Sequence, residues 1–445
     1  EFFPLFNSNL IFMAQEISEK VYSFITDEGE ERACETISEK ACKEVPGNFL
    51  KNVASGGFSK LANQLVSPGT TLPWIFSSLS VPPALVGALV PIKDAGSLLP
   101  QLFVSAKIRA FSRRKWFWAI PAFCQGLCLL AMAWVVQSTE GLAAGVWILS
   151  LLTLFSFASG IASISFKDVL AKTIDKGKRG QLLAYRASMG GIFTAACGLF
   201  LYFQNGENQS IDYLFWPVLA GACCWFISAG FFAGIYEEKG ATEGGRTPIK
   251  ELKKGWSILS KDKNLLNFII ARGLLMAVPL AQPFFVVIAQ KELGPEVKNL
   301  GFMVLAAGIG AIISSPFWGR FADKSSRKMM MLVAFLAILN ILAMVSFQYW
   351  PDEYQSIYTF AVLFLLHVMI YGGARLSRKT YLVDFAPKDE RPLYVSLSNT
   401  LIGIATLIAA GLGSLSAFLG PDGMLLVFAG LLLLAIMMAF KLKEV

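Results

Sequence analysis

Residues 116–166 read WFWAIPAFCQGLCLLAMAWVVQSTEGLAAGVWILSLLTLFSFASGIASISF, two apolar runs joined by a short polar connection. Each run, 116–136 and 142–166, is close to the ~20 residues that cross a hydrocarbon core as a helix. The connection contains no Lys or Arg, whereas the flanking segments 107–115 and 167–180 are rich in both. Lys and Arg accumulate on the cytoplasmic side of membrane proteins. The stretch therefore predicts a helical hairpin that crosses a membrane twice and has both outer ends in the cytoplasm.

The same pattern recurs along the chain, of which 55% is hydrophobic and only 16% charged. A soluble chain carries roughly a quarter charged residues. We predict twelve transmembrane helices, at 61–81, 83–106, 116–136, 142–166, 183–204, 213–235, 265–289, 299–318, 329–348, 357–377, 393–419 and 423–440. Alternate connections such as 319–328 and 375–391 are basic, whereas 349–356 and 420–422 contain neither Lys nor Arg. This alternation predicts an even number of spans with both termini cytoplasmic.

A long polar linker at 236–263 divides six predicted spans from six. Lys167 and Lys379 begin two short segments that align at an offset of 212, each between the fourth and fifth span of its half. An internal repeat of this kind is typical of transporters. The predicted fold class is an all-α polytopic membrane protein with two pseudo-symmetric six-helix bundles. The bundles cover 61–235 and 264–440, followed by a cytoplasmic tail at 441–445.

Residues 1–60 are predicted to form a cytoplasmic N-terminal segment rich in acidic side chains. Two interpretations stay open for it, a solvated helix or a regulatory arm. Residues 1–12 precede Met13 and are interpreted as vector-derived or upstream sequence, outside the fold.

The segment from Gly319 to Lys328 reads GRFADKSSRK. It resembles the signature loop of the major facilitator superfamily, G-x-x-x-D-R-x-G-R-R, with Lys and Ser replacing family Arg and Gly. The resemblance implies two helical bundles that alternate access to a central site, and a loop that latches the cytoplasmic gate in the outward-open state. It also implies that Asp323 pairs with a basic residue such as Arg375 or Arg378. The predicted gating residues are Gly319, Asp323, Lys324, Arg327, Lys328, Arg375 and Arg378.

The first half carries a copy of this loop at 106–115, aligned at an offset of 213. Ala106 and Ala110 stand where the family has Gly and Asp. The basic end of the motif is retained, but the first-half copy departs from the family pattern, which puts a charge relay there in doubt.

The first helix of each half is interrupted by Pro, at 67–74 and at 279–283. Pro removes a backbone hydrogen bond, and a broken helix within a membrane is tolerated only against protein or a water-filled cavity. Interruptions at matching places point to a binding site, although ordinary kinks between packed helices explain them equally well. Thr70, Thr71 and Gln282 are candidate site residues at these breaks.

Ionisable side chains at membrane depth are further candidates, because they are costly there. They are Lys93 and Asp94 in the second span, Arg272 in the seventh, and His367 with Tyr371 in the tenth. Asp94 is interpreted either as a coupling-proton or substrate site or as half of a structural ion pair with Arg272. His367 is either a packing residue or a proton relay. Their summed positive charge favours an anionic or zwitterionic solute.

No enzyme constellation is found: the chain has one His, no P-loop and no metal-ligand spacing. Cys124 and Cys128 share a helix face but have no further ligands to join. We therefore predict no catalytic or metal residues and no cofactor, and we interpret the net charge of +8 as topology rather than nucleic-acid binding. The expected function is proton-coupled secondary active transport of a small polar solute by a monomer in the cell membrane, the inner membrane in a bacterium. Two alternatives remain, an efflux pump of the same fold and a non-transporting receptor or scaffold.

Overall fold

The structure is a computed structural model. It describes residues 16–26, 34, 37–101, 104, 108, 110–203, 212–240, 257–322, 324–387 and 390–444. Within these ranges the chain forms helices and no β-strand, so the predicted all-α class is confirmed.

Besides the helical residues 100, 101, 104 and 108, the first half contains ten numbered helices among the described residues. They are α1 (16–26), α2 (Glu39–Lys43), α3 (Val45–Leu65), α4 (Thr71–Ser78), α5 (Pro83–Val86), α6 (Leu89–Leu98), α7 (Trp116–Ser138), α8 (Gly141–Thr173), α9 (Arg179–Tyr202) and α10 (Asp212–Ala233). The second half contains α11 (Lys263–Leu274), α12 (Ala277–Leu293), α13 (Val297–Ala322), α14 (Ser326–Ser346), α15 (Ile357–Phe385), α16 (Arg391–Leu412) and α17 (Ser416–Phe440).

Ten helices in the described part of the chain are long and apolar enough to cross a membrane, with α11 and α12 counted together. Large apolar side chains such as Trp134, Phe200 and Ile408 are exposed on their outer faces, as suits a surface covered by lipid. Two further spans are each in two pieces, α3 with α4 and α5 with α6. If each pair is counted as one broken span, the total is twelve spans. The two added spans stay a prediction, because only ten of the described helices are long and apolar enough by themselves.

The first helix starts earlier than predicted, at Val45 rather than residue 61. Residues 45–60 therefore pack with α9 and α10 in the first bundle instead of belonging to the N-terminal segment. The polar side chains on α3 face protein: Asn48 Nδ2 donates to the carbonyl of Tyr236 at 3.0 Å, and the hydroxyls of Ser55 and Ser228 are 3.1 Å apart. These interior hydrogen bonds explain how so polar a helix is buried.

The chain breaks close to both predicted interruptions, although residues 279–283, where the second was predicted, are themselves helical. The first separates α3 from α4 at residues 66–70, where Thr71 Oγ1 donates to the carbonyl of Gln64 at 2.9 Å. The second separates α11 from α12 at residues 275–276, just before Pro279, whereas Pro283 lies inside α12. Pro279 has no N–H to continue the helical hydrogen bonds, so the helix breaks ahead of it.

The halves pack together along two pairs of helices, α9 with α13 and α6 with α16. A Cβ atom on Gly301 would lie 2.9 Å from the carbonyl oxygen of Gly198, so these two backbones touch directly. Glycine at a helix crossing permits this close approach in membrane proteins.

An N-terminal arm, residues 16–26 and 37–44, lies against the first bundle. Tyr22 is buried against Phe49, with ring centroids 5.2 Å apart. The hydroxyl of Tyr185, on α9, donates to the carbonyl of Ile25 at 3.0 Å. A disulfide joins Cys34 to Cys42, which the sequence interpretation did not anticipate.

Candidate functional site

A cavity of about 430 Å³ lies between the two halves. Its walls come from α3 and α9 of the first half and from α12, α13 and α15 of the second. Gln64 and Ser67, at the break after α3, and Gln282, on α12, line its inner part. The interrupted helices therefore reach the cavity, as the sequence led us to expect.

Three cations project into the cavity, Lys60 from the first half and Arg375 and Lys379 from the second. None of the described residues that line it is Asp or Glu. Among the described residues, none of the three cations has a hydrogen bond or ion pair. A Cβ on Gly190 would overlap the stem of Lys60, so glycine at this position gives the lysine room. Arg375 was predicted as a gating residue; Lys60 and Lys379 were not proposed as site residues.

Thr70 and Gln282 form a contact between the halves, where Gln282 Nε2 donates to Thr70 Oγ1 at 3.2 Å. A Cβ on Gly69 would lie 2.7 Å from the Gln282 amide, so glycine is needed for this approach. Thr70 itself is buried. Of the three residues predicted at the helix breaks, Gln282 lines the cavity and Thr70 accepts its hydrogen bond. Thr71 instead donates a hydrogen bond to a backbone carbonyl of its own broken helix.

We call the end that carries the connections 107–115, 167–180 and 319–328 the basic-loop end, and the opposite end the neutral-loop end. Toward the neutral-loop end the halves are held together. Gln290 Nε2 donates to Ser78 Oγ at 3.0 Å, and Ser416 Oγ donates to the carbonyl of Pro83 at 3.1 Å. The remaining side-chain hydrogen bond between the halves, within the described residues, is the Thr70–Gln282 contact. The cavity thus closes toward the neutral-loop end, while Lys379 on α15 lies on its basic-loop side.

Asp94 lies on α6, and its side chain is half-buried. Within the described part of the chain its carboxylate makes no hydrogen bond or ion pair. It interacts electrostatically with Arg378, Lys93 and Arg272, so it lies where the two halves meet. Lys93 Nζ instead points to Asn63 Oδ1 at 3.4 Å and lies 5.6 Å from the ring centroid of Phe155.

Arg272 does not form the direct ion pair with Asp94 that was one of the two interpretations. Its guanidinium donates to Ser398 Oγ at 2.6 Å and to Asn399 Oδ1 at 2.9 Å, which joins α11 to α16. In the first half the guanidinium of Arg186, on α9, donates to the carbonyl of Asn52, on α3, at 2.6 Å. Each half therefore ties its first span to its fifth through an arginine, half-buried in the case of Arg186 and buried in the case of Arg272.

His367 and Tyr371 lie one turn apart on α15 but face different surroundings. His367 is fully buried with its ring edge-to-face against Phe285, the centroids 4.6 Å apart. Tyr371 lines the cavity. This arrangement favours the packing interpretation of His367 and keeps Tyr371 as a candidate for solute contact.

Some of the predicted gating residues make contacts that the resemblance did not imply. Asp323 lies outside the described residues, so its pairing with Arg375 or Arg378 is untested. Arg378 Nη1 donates to Met276 Sδ at 2.9 Å. Gly319 was expected to permit a close helix approach, yet a Cβ there would meet no described atom within 4 Å.

The C-terminal tail occupies the basic part of this loop. Arg327 Nη2 lies 2.6 Å from Glu444 Oε2, and Arg327 Nη1 donates to the carbonyl of Leu442 at 2.9 Å. Ser325, the N-cap of α14, donates from its hydroxyl to Glu444. Lys324 and Lys328 are exposed. The tail thus fastens the start of α14 at the basic-loop end.

Glu237 does the same for the first half, just after α10. Its buried carboxylate accepts the backbone N–H groups of Arg114 and Lys115, at 2.8 and 2.7 Å, and pairs with Lys172 Nζ at 2.9 Å. Arg114 Nη1 also pairs with Asp168 Oδ2 at 2.9 Å. The first-half loop therefore retains charged contacts although it lacks the family Gly and Asp. No group of three or more His, Cys, Asp and Glu side chains suited to a metal ion is found among the described residues.

Comparison with known proteins gives relatives by sequence. The family model of the Major Facilitator Superfamily matches residues 275–445. A Mycobacterium tuberculosis protein described as "Uncharacterized protein Rv2209" is 22% identical over 381 residues, which is 83% of this chain and 72% of that protein. The staphyloferrin B transporter of Staphylococcus aureus is 27% identical over 183 residues, 40% of this chain and 42% of that protein.

Solved structures give relatives by fold. The nucleoside transporter NupG superposes with a TM-score of 0.67 at 15% identity, covering 88% of this chain and 98% of its own. A D-xylose–proton symporter has a TM-score of 0.65 at 12% identity, covering 90% and 98%. Identities this low show the fold and not the solute. Residues 275–445 are therefore similar in sequence to the Major Facilitator Superfamily, and the chain as a whole shares the fold of these solved structures.

Proposed function

We propose that the protein is a secondary transporter that moves a small polar solute by alternating access. The observation that carries this proposal is the cavity between the halves, which contacts between them close toward the neutral-loop end and which the broken helices line. In the proposed cycle the halves rotate so that the contacts Ser78–Gln290 and Pro83–Ser416 separate while the basic-loop end closes. The distribution of Lys and Arg supports placing the basic-loop end and both termini in the cytoplasm.

Alternating access is tested by linking one end of the molecule to labelling at the other. In a background with all seven cysteines replaced by serine, Ser78→Cys and Gln290→Cys form a disulfide across the neutral-loop end. We expect a third cysteine, Leu376→Cys in the cavity wall, to react faster with a membrane-impermeant maleimide when this disulfide is formed than when it is reduced.

The matched control is Ser138→Cys, at the end of α7 and away from the interface, whose labelling should not respond to the disulfide. A non-transporting scaffold would keep a fixed cavity. Equal labelling of Leu376→Cys in the oxidised and reduced states would therefore argue against alternating access.

Proton coupling through Asp94 is the second part of the proposal. Its support is the carboxylate's position between cations of both halves, with no ion pair among the described residues. In proteoliposomes with an imposed pH gradient, we expect Asp94→Asn to abolish gradient-driven accumulation but to retain solute counterflow. Glu140→Gln, at the neutral-loop end, serves as the control. Accumulation that survives in Asp94→Asn would remove Asp94 as the coupling site.

A further inference from the structure

We propose that the transported solute is a small molecule with at least two negative charges, held between Lys60 of the first half and Arg375 and Lys379 of the second. This inference rests on the proposed transport function and names the solute class for it. The observation that supports it is the cavity itself, in which three cations meet and no carboxylate lines the wall among the described residues.

The three cations are free to bind, because their charges are not used within the described structure. Two other arginines nearby are engaged: Arg186 donates to Asn52 and Arg272 to Ser398. The three side chains are exposed and line the cavity, and like charges gathered around one pocket repel one another. An anion that enters the cavity would supply the partner that they lack among the described residues.

The chemistry of the three groups suits carboxylates or phosphates. An arginine guanidinium presents two parallel N–H groups that match the two oxygens of one such group. The two lysines supply compact charges for a second anionic group. Neutral lining side chains, among them Gln64, Ser67, Thr194 and Tyr371, provide hydrogen bonds that orient the rest of the solute.

The two halves contribute unequal shares, one cation against two. Lys60 and Arg375 interact electrostatically with each other, as do Arg375 and Lys379. A singly charged solute would leave two of the three positive charges unbalanced, whereas a dianion leaves one and a trianion leaves none. The cavity volume of about 430 Å³ is that of a small-molecule pocket, which favours a solute over the headgroup of a lipid.

The test is thermal stabilisation of the full-length protein in nanodiscs of zwitterionic lipid, with citrate and inorganic phosphate as anionic probes and xylose and uridine as neutral ones. We expect the anions to raise the melting temperature and the neutral probes to leave it unchanged. Each of Lys60→Gln, Arg375→Gln and Lys379→Gln should weaken anion binding about 10- to 100-fold, as for other lost charged hydrogen bonds. Lys291→Gln, an exposed lysine at the neutral-loop end, should bind like the wild type.

Lys60→Arg keeps the charge and should retain binding, which separates loss of the site from loss of folding; all variants are compared as monodisperse fractions from size exclusion. The inference is overturned if a neutral probe stabilises the protein and the anions do not, or if the three Gln variants bind anions like the wild type. It is also overturned if phosphatidylglycerol in the nanodisc stabilises the protein through these cations while citrate and phosphate have no effect. Should any of these results occur while Leu376→Cys still responds to the neutral-loop disulfide, the transport proposal stands and only the solute class fails.

Discussion

Replacement of Glu237 by Gln is the sharpest test of how the first bundle is held at its basic-loop end. The Glu237 side chain is fully buried, while Lys172 is 22% exposed. The carboxylate accepts the N–H of Arg114 on one oxygen at 2.8 Å and on the other at 3.0 Å, and the N–H of Lys115 at 2.7 Å. These groups lie directly before α7, where a negative charge is favourable.

The size of the effect follows from what Gln cannot do. Its NH₂ group faces a backbone donor where the carboxylate had an acceptor, and Lys172 loses its partner. A hydrogen bond to a charged group contributes about 1.5–3 kcal/mol, and breaking a buried ion pair costs about 3–5 kcal/mol. Because Lys172 is partly exposed, water can solvate its charge once the partner is lost, which reduces the cost. We therefore expect the segment directly before α7 to lose about 3 kcal/mol of local stability.

Hydrogen–deuterium exchange measures that loss directly. Local opening made easier by about 3 kcal/mol should speed amide exchange at the start of α7 roughly 100-fold. The matched control is Glu238→Gln, the next residue, which accepts one hydrogen bond from Ser38 and should leave α7 unchanged. Equal exchange rates at Arg114 and Lys115 in the two variants would refute the reasoning that Glu237 fastens α7.

Two further predictions concern the second half and the interface. The hydrogen bond from Ser325 and the charge of Arg327 lower the pKa of Glu444 below its usual 4.5; the stabilisation of the tail contact is therefore complete above 4.5 and is lost as the pH falls through the lowered pKa. Exchange at the start of α14 should accelerate over that acidic range, and Glu444→Gln should exchange fast at every pH. Gly87→Ala places a Cβ on the Cα of Gly413, whereas Gly430→Ala meets no described atom within 4 Å. We expect about 1–3 kcal/mol of destabilisation from overpacking in the first and none in the second, measured as melting temperature in detergent; equal melting temperatures would show that α5 and the segment after α16 are not in tight contact.

The features predicted correctly from the sequence were those that depend on whether a segment faces lipid or water. Apolar length and loop charge report which residues face lipid and which connections stay in water, so the helices from α7 onward lie near their predicted ranges. The broken helices were also predictable, because Pro279 cannot continue a helical hydrogen-bond pattern whatever surrounds it.

The start of α3 could not be found by the same criterion. Asn48, Asn52 and Ser55 make the helix polar, yet all are buried, and hydropathy cannot distinguish polar groups that face protein from polar groups that face water. Lys60 was missed for this reason, since it lay ahead of the predicted first span. A helical stripe at Lys60, Asn63, Gln64 and Ser67 was the available signal, because positions three and four apart share a face.

The contacts between tertiary partners were beyond sequence reasoning altogether. Glu237 and Glu444 each fasten a loop more than a hundred positions away, and neither has a local pattern that marks it. The roles proposed for the signature loop came from family resemblance, and the tail contact to Arg327 had no counterpart in that pattern.

The hydrogen bond between Thr70 and Gln282 spans 212 positions, and so does that between Ser78 and Gln290. One pair of predicted repeat segments, beginning at Lys167 and Lys379, aligns at the same offset, so by that alignment each bond joins matching positions of the two halves. Residues at matching positions can touch only where a pseudo-two-fold axis passes between them, and the predicted repeat therefore places that axis through both bonds. At ~1.5 Å of rise per helical residue, the eight positions from Thr70 to Ser78 make a lever arm of roughly 12 Å. If the halves rock about the cavity, Thr70 and Gln282 lie at the pivot and move little relative to each other. Ser78 and Gln290, one lever arm away, then move apart by a larger distance.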